Sequence, residues 1–211
     1  MHQENRVTFS SGNLLLEGVF SLPEGSGPFP GVVVCHPHPR GGGEMDNNVV
    51  LAVFHALAQR SIAVLRFNFR GVGGSQGRYD EGIGEQDDAR AAVQFLITQP
   101  GIDPSRIGLA GYSFGARIAL LVGSQDERVK TLASISGTTA INDPALMGCT
   151  KPKLFITGDI DTFIPVEQFK TLVDGLPSPT EARIFHGADH FWWGVEADLA
   201  KAVATFFVKH L

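Results

Sequence analysis

Short apolar runs alternate with amphipathic stretches along most of this chain, and that alternation limits the available folds more than any other feature. Residues 7–10 and 14–22 read as two strands around a tight turn at Ser11-Gly12-Asn13, an antiparallel hairpin. Residues 31–35 form a wholly apolar run, the pattern of a strand buried on both faces. Residues 47–60 carry Val49, Val50, Val53, Ala56 and Leu57 on one helical face, with Asp46 as the expected N-cap. The alternation continues with a strand at 62–69, a helix at 85–98 and a strand at 106–112. A helix at 114–123, strands at 129–136 and 153–157, a helix at 165–176, a strand at 181–185 and a helix at 195–211 complete it. Strand and helix taking turns after an antiparallel start predicts an α/β fold, a mostly parallel twisted sheet with helices on both faces. In such sheets ligands gather at the carboxyl ends of the strands.

Composition narrows the function classes. The 211 residues carry 17 Lys+Arg against 22 Asp+Glu, a formal charge of −5, with no basic cluster. Nucleic acid is therefore not an expected partner. The apolar runs are too short for a membrane span, and the first residues lack the apolar core of a secretory leader. Cys35 and Cys149 lie far apart without paired spacing, as expected of free thiols in a reducing cytoplasm. The length and the lack of a linker predict a single domain over residues 1–211.

The strongest chemical signal is Gly111-Tyr112-Ser113-Phe114-Gly115, a G-x-S-x-G between an apolar strand and an apolar helix. This is the context of a nucleophile elbow, a sharp turn that lifts the serine hydroxyl above the sheet. A serine hydroxyl needs a base, and the base an orienting acid. The order Ser…Asp…His directs attention to two loops at strand ends. One holds Asp159 and Asp161, with Asp161 preferred as the acid. The other holds His186 and His190, with His190 preferred as the base because it stands further along a glycine-containing loop. Acyl transfer also requires donors for the oxyanion. The backbone N–H of Phe114 begins a helix and suits that role. A second donor is expected from His36-Pro37-His38-Pro39-Arg40-Gly41-Gly42-Gly43. Proline has no N–H, so His38 is favoured, then Arg40 and the glycines.

These segments resemble the α/β-hydrolase superfamily over nearly the whole length. The resemblance is greatest to small bacterial members that carry an H-P-H-P-x-x-G-G loop and lack a cap domain, near the dienelactone-hydrolase branch. His36-Pro37-His38-Pro39 with Gly42-Gly43, Met45-Asp46-Asn47, residues 66–73, the elbow, Gly158 with Asp161 and Gly187 with His190 carry it. It implies Ser113 as nucleophile, Asp161 as acid, His190 as base, and His38 and Phe114 at the oxyanion hole. The dienelactone branch typically has a cysteine at the elbow, where this chain has Ser113. Larger members often insert a cap after the strand that follows the nucleophile helix. Here residues 137–152, rich in Gly, Asn, Asp and Pro, leave space for a turn of helix only.

The remaining signals carry competing readings. His36-x-His38 is a conceivable metal pair, but the supporting ligand set is missing, so neither a metal nor a cofactor is expected. Residues 71–77 are glycine-rich yet fail both phosphate-loop patterns and read as a turn. Trp192-Trp193 beside His190 fits a pocket wall, a homodimer contact or simple packing. The expected pocket is shallow, walled by Met45, Phe163 and Trp192. The expected function is hydrolysis of small soluble esters or thioesters through a Ser-His-Asp triad. The alternative is a non-catalytic relative that binds small molecules or partners.

Overall fold

The computed structural model describes residues 3–137 and 143–211. Its eight strands are β1 (Gln3–Ser11), β2 (Leu14–Leu22), β3 (Phe29–Cys35), β4 (Ala63–Phe67), β5 (Ile102–Tyr112), β6 (Val129–Ile135), β7 (Lys153–Gly158) and β8 (Thr180–Phe185). They form one sheet in the order β1-β2-β4-β3-β5-β6-β7-β8. The β1–β2 hairpin joins β4 antiparallel, and every pairing from β4 through β8 is parallel. The described helices are α1 (Asn48–Ala58), α2 (Gly84–Ile97), α3 (Phe114–Gln125), α4 (Pro144–Met147), α5 (Val166–Asp174) and α6 (Glu196–His210).

The central strands have two apolar faces because helices cover both sides. Along β3, Val32 and Val34 pack with Val49, Val53 and Phe54 of α1 and with Val203 and Phe207 of α6. Val33 and Cys35, which alternate with them, pack with Ala92, Val93 and Leu96 of α2 and Ile118 of α3. The period of two along a strand thus produces two cores from one apolar run. All five residues of β4 are buried for the same reason.

Element order follows the sequence reading, with shifted boundaries and one different cap. Asn47, not Asp46, caps α1, its Oδ1 accepting Val49 N–H at 3.0 Å. Asp46 is instead ion-paired with Arg66. In the described part of the β6–β7 connection the chain makes only the four-residue α4, so no cap domain is built there; residues 138–142 lie outside the described residues. No described helix is long and apolar enough to cross a membrane. Cys35 and Cys149 are both buried and free.

Candidate active site

The end of β5 turns abruptly into α3 at Ser113, whose backbone takes φ 55° and ψ −115°. A non-glycine residue in that region is strained and persists only where its surroundings fix it. Here Ser113 N–H donates to Ile135 O at 2.8 Å, and Ala116 N–H returns to Ser113 O at 3.1 Å. The flanking glycines are steric requirements. A Cβ on Gly111 would lie 2.1 Å from Gly115 O, and one on Gly115 would lie 2.4 Å from both Cys35 O and His36 O. The motif therefore lets helix, strand and the β3 loop close around the serine.

Two further loops converge on the hydroxyl. Ser113 Oγ lies 3.0 Å from His190 Nε2, and His190 Nδ1 lies 2.9 Å from Asp161 Oδ2 and 3.1 Å from Oδ1. The Asp161 side chain is fully buried and also accepts the N–H groups of Phe163 (2.9 Å) and Ile164 (3.0 Å). Burial pushes the Asp161 carboxyl up, but the bond and charge of His190, with Ser136 and Phe163 N–H, outweigh it. The group is held below the usual carboxylate range. The carboxylate thus faces the ring nitrogen opposite the serine and fixes the tautomer in which Nε2 accepts. Asp159 and His186 pair with each other instead, at 2.6 Å, with the imidazole wholly exposed. Asp159 also accepts Gly187 N–H at 2.7 Å, so this pair ties the β7 loop to the β8 loop, away from Ser113.

The His190 loop has anchors that its sequence pattern does not reveal. Tyr112, beside the serine, donates its hydroxyl to His190 O at 2.6 Å. Burial, with the nearby Asp161 and Asp189 charges, pushes that phenol up, so it stays a donor. Asp189 accepts the N–H groups of Phe191 and Trp192 in a local turn.

The first loop is set by β4 and the residues after it. Phe69 N–H donates to His36 Nε2 at 3.0 Å, and His36 Nδ1 meets Pro37 O at 2.7 Å. An imidazole that accepts at Nε2 and donates at Nδ1 is neutral, and burial pushes its pKa down to about 4. Both ring nitrogens serve the backbone, so His36 positions the loop and is not a ligand. Asn68 and Arg66 hold the neighbouring Met45 backbone at its N–H and its carbonyl. His38 Nδ1 accepts Arg40 N–H at 3.1 Å, which leaves Nε2–H for the Tyr79 hydroxyl at 3.1 Å. Its ring lies 5.0 Å from that of Phe114. Among the described residues, neither Phe114 N–H nor His38 N–H has a backbone partner.

A cleft opens on both sides of Ser113. One lobe, about 490 Å³, is lined by His38, Ser113, Phe114, Arg117, Ser136, Phe163, Ile164 and His190. The other, about 370 Å³, adds Gly41, Gly42, Gly43, Asn47, Tyr112 and Phe191. A larger surface cavity of about 560 Å³ lies between α1 and α6 and contains no serine, threonine or cysteine. Phe163 walls both lobes as expected, but the other two expected wall residues do not. Met45 is buried among the α1 side chains, and Trp192 is fully buried. Trp192 has φ 63°, which turns its indole inward, where Nε1–H donates to Ser136 Oγ at 3.0 Å and the ring packs on Phe185. Trp193 is exposed and lines neither lobe. Arg117 and Phe191 line the wall in addition to the expected residues. The signal for Arg117 was its spacing four residues after Ser113, one turn along the same helix.

An eight-stranded sheet of this order, with a strained serine between strand and helix at its carboxyl edge, defines an α/β hydrolase. Comparison with known proteins agrees. A model of the dienelactone hydrolase family matches residues 79–205. The structure of an α/β serine hydrolase homologue from Coxiella burnetii is 34% identical, with a TM-score of 0.85 and 96% of each chain covered. That of an α/β serine hydrolase without lid from Xanthomonas campestris is 31% identical, with a TM-score of 0.86, covering 99% of this chain and 95% of that one. An uncharacterized protein of Rickettsia prowazekii is 34% identical over 85% of this chain and 79% of its own length. The chain belongs to the dienelactone hydrolase family.

Proposed function

We propose that this protein is a serine hydrolase that cleaves short carboxylic esters or thioesters through an acyl-enzyme on Ser113. The observation that carries the reading is the continuous hydrogen-bonded line from Ser113 Oγ through His190 to the buried Asp161 carboxylate. In this reading His190 Nε2 takes the hydroxyl proton as Oγ adds to the substrate carbonyl. Asp161 stays ionised and stabilises the imidazolium that forms. The carbonyl oxygen, now negative, accepts from Phe114 N–H at the start of α3 and from His38 N–H, a region where the helix dipole favours negative charge. The intermediate collapses as His190 returns the proton to the leaving oxygen or sulfur. Water, deprotonated by the same imidazole, then attacks the acyl carbonyl and frees Ser113.

A cleft with exposed walls, over which the described residues build no cap, supports small substrates. A long acyl chain would leave most methylenes in water and forgo the roughly 0.8 kcal/mol that each buried CH₂ contributes. Purified protein is expected to hydrolyse 4-nitrophenyl acetate and butyrate, and Ser113→Ala to lose several decades of kcat while remaining folded. Wild-type turnover in that variant would refute the proposal; no turnover of any ester or thioester would favour a non-catalytic binding role.

A further inference from the structure

Among the described residues Arg117 has no ion-pair partner, and it stands in the wall of the nucleophile's own cleft. It projects from the first turn of α3, its backbone N–H donating to Ser113 O at 3.2 Å, so it stands one turn along the helix from the elbow. It lines the lobe that also contains Phe114 and His190. The other arginines near the site face carboxylates: Arg40 faces Glu81 at 3.0 Å, Arg66 faces Asp46, and Arg70 faces Asp88 at 2.8 Å. Among the described residues no carboxylate lies within ion-pairing distance of Arg117 and no acceptor takes its guanidinium N–H groups. Residues 138–142 contain no Asp or Glu that could provide one. Glu85, the acid near the same loop, is turned away and accepts the N–H groups of Asp80 and Gly82, each at 2.8 Å. The guanidinium also has a cradle. Gly82, at φ 85°, passes close to it, and a Cβ there would lie 3.1 Å from Arg117 Nη1.

A planar cation with a free fork of donors, placed one turn from the reacting hydroxyl, matches a carboxylate. We infer that Arg117 selects substrates that carry a carboxylate a few bonds from the scissile carbonyl, such as half-esters of short dicarboxylic acids. The inference deepens the proposed ester or thioester hydrolysis at Ser113 and rests on it. The net charge of −5 makes such selection a local matter, since the protein as a whole repels anions.

The test compares kcat/KM for 4-nitrophenyl hemiglutarate and 4-nitrophenyl butyrate. A third arm, the acetate ester of 4-hydroxybenzoate, places the carboxylate on the leaving group. Wild type is expected to prefer one carboxylate-bearing ester over its neutral counterpart, and the arm preferred shows which side of the ester faces Arg117. Arg117→Gln is expected to lower that ratio about tenfold, the usual scale for losing a charge-assisted bond. Arg117→Lys should restore part of it, and Arg117→Glu should reverse it. Arg90→Gln, on the exposed side of α2, should leave the ratio unchanged. The ratio in wild type should also fall as salt rises. Equal ratios in wild type and Arg117→Gln, with the neutral ester turned over, would overturn this inference alone. Failure of wild type to hydrolyse any of the three esters would overturn the proposed function, and this inference with it.

Discussion

Lowering the pH from 7 to 5 is expected to destabilise the fold by about 2 kcal/mol through His36 alone. In the folded protein this imidazole is fully buried, and burial holds its pKa near 4, against 6.5 for the free side chain. Its Nε2 accepts Phe69 N–H and has no room for a proton without breaking that bond. The unfolded chain therefore binds a proton below pH 6.5 that the folded chain refuses until about pH 4. Stability is complete above the unfolded value and falls as the pH drops through the interval between the two. At pH 5 the loss spans 1.5 units, and at about 1.4 kcal/mol per unit this gives roughly 2 kcal/mol. Urea denaturation of wild type and His36→Gln at pH 7, 6 and 5 isolates this group from the other titrating side chains. Glutamine retains an acceptor for Phe69 N–H but does not titrate. The variant should be less stable at pH 7 yet lose about 2 kcal/mol less than wild type on acidification. Equal slopes in the two proteins would refute the argument.

Other outcomes follow from the same geometry. Asp161→Asn should lower kcat by about 10⁴-fold in an ester assay, because the amide favours the wrong tautomer of His190; Asp159→Asn, which faces His186, should cost far less, and the reverse order would exchange their roles. Gly115→Ala should lower stability by about 1–3 kcal/mol in denaturant, since its Cβ meets two backbone oxygens that cannot yield. A 4-nitrophenyl ester series from acetate to palmitate should show the highest kcat/KM at about two to six carbons; a maximum at twelve or more would reveal a deep apolar channel.

Much of the fold was legible because its signals are local. The wholly apolar run at β3 announces burial on two faces, and Gly111 and Gly115 announce a turn that tolerates no Cβ. The three loops that meet at Ser113 were legible through residue type and order at strand ends. Their orientation was not. Trp192 and Met45 stand beside site residues in sequence, but a positive φ turns Trp192 toward Ser136, and Asn68 and Arg66 draw the Met45 backbone down so that its side chain joins the α1 core. Acids suit helix starts, which makes Asp46 the expected cap, whereas β4 offers it Arg66, some twenty residues on, and Asn47 takes the cap. Such partners come from tertiary pairing, which no window of sequence contains. Tyr112 is the same case: its bond to His190 O depends on two strand ends meeting above the sheet.

The central claim is that Ser113 is the group that forms a covalent bond with substrate. Treating the purified protein with a fluorophosphonate and mapping the adduct by mass spectrometry tests it directly. The serine carrying the probe should be Ser113, with one adduct per chain and none in Ser113→Ala. Labelling at another residue, or none in a folded wild-type protein, would contradict the account.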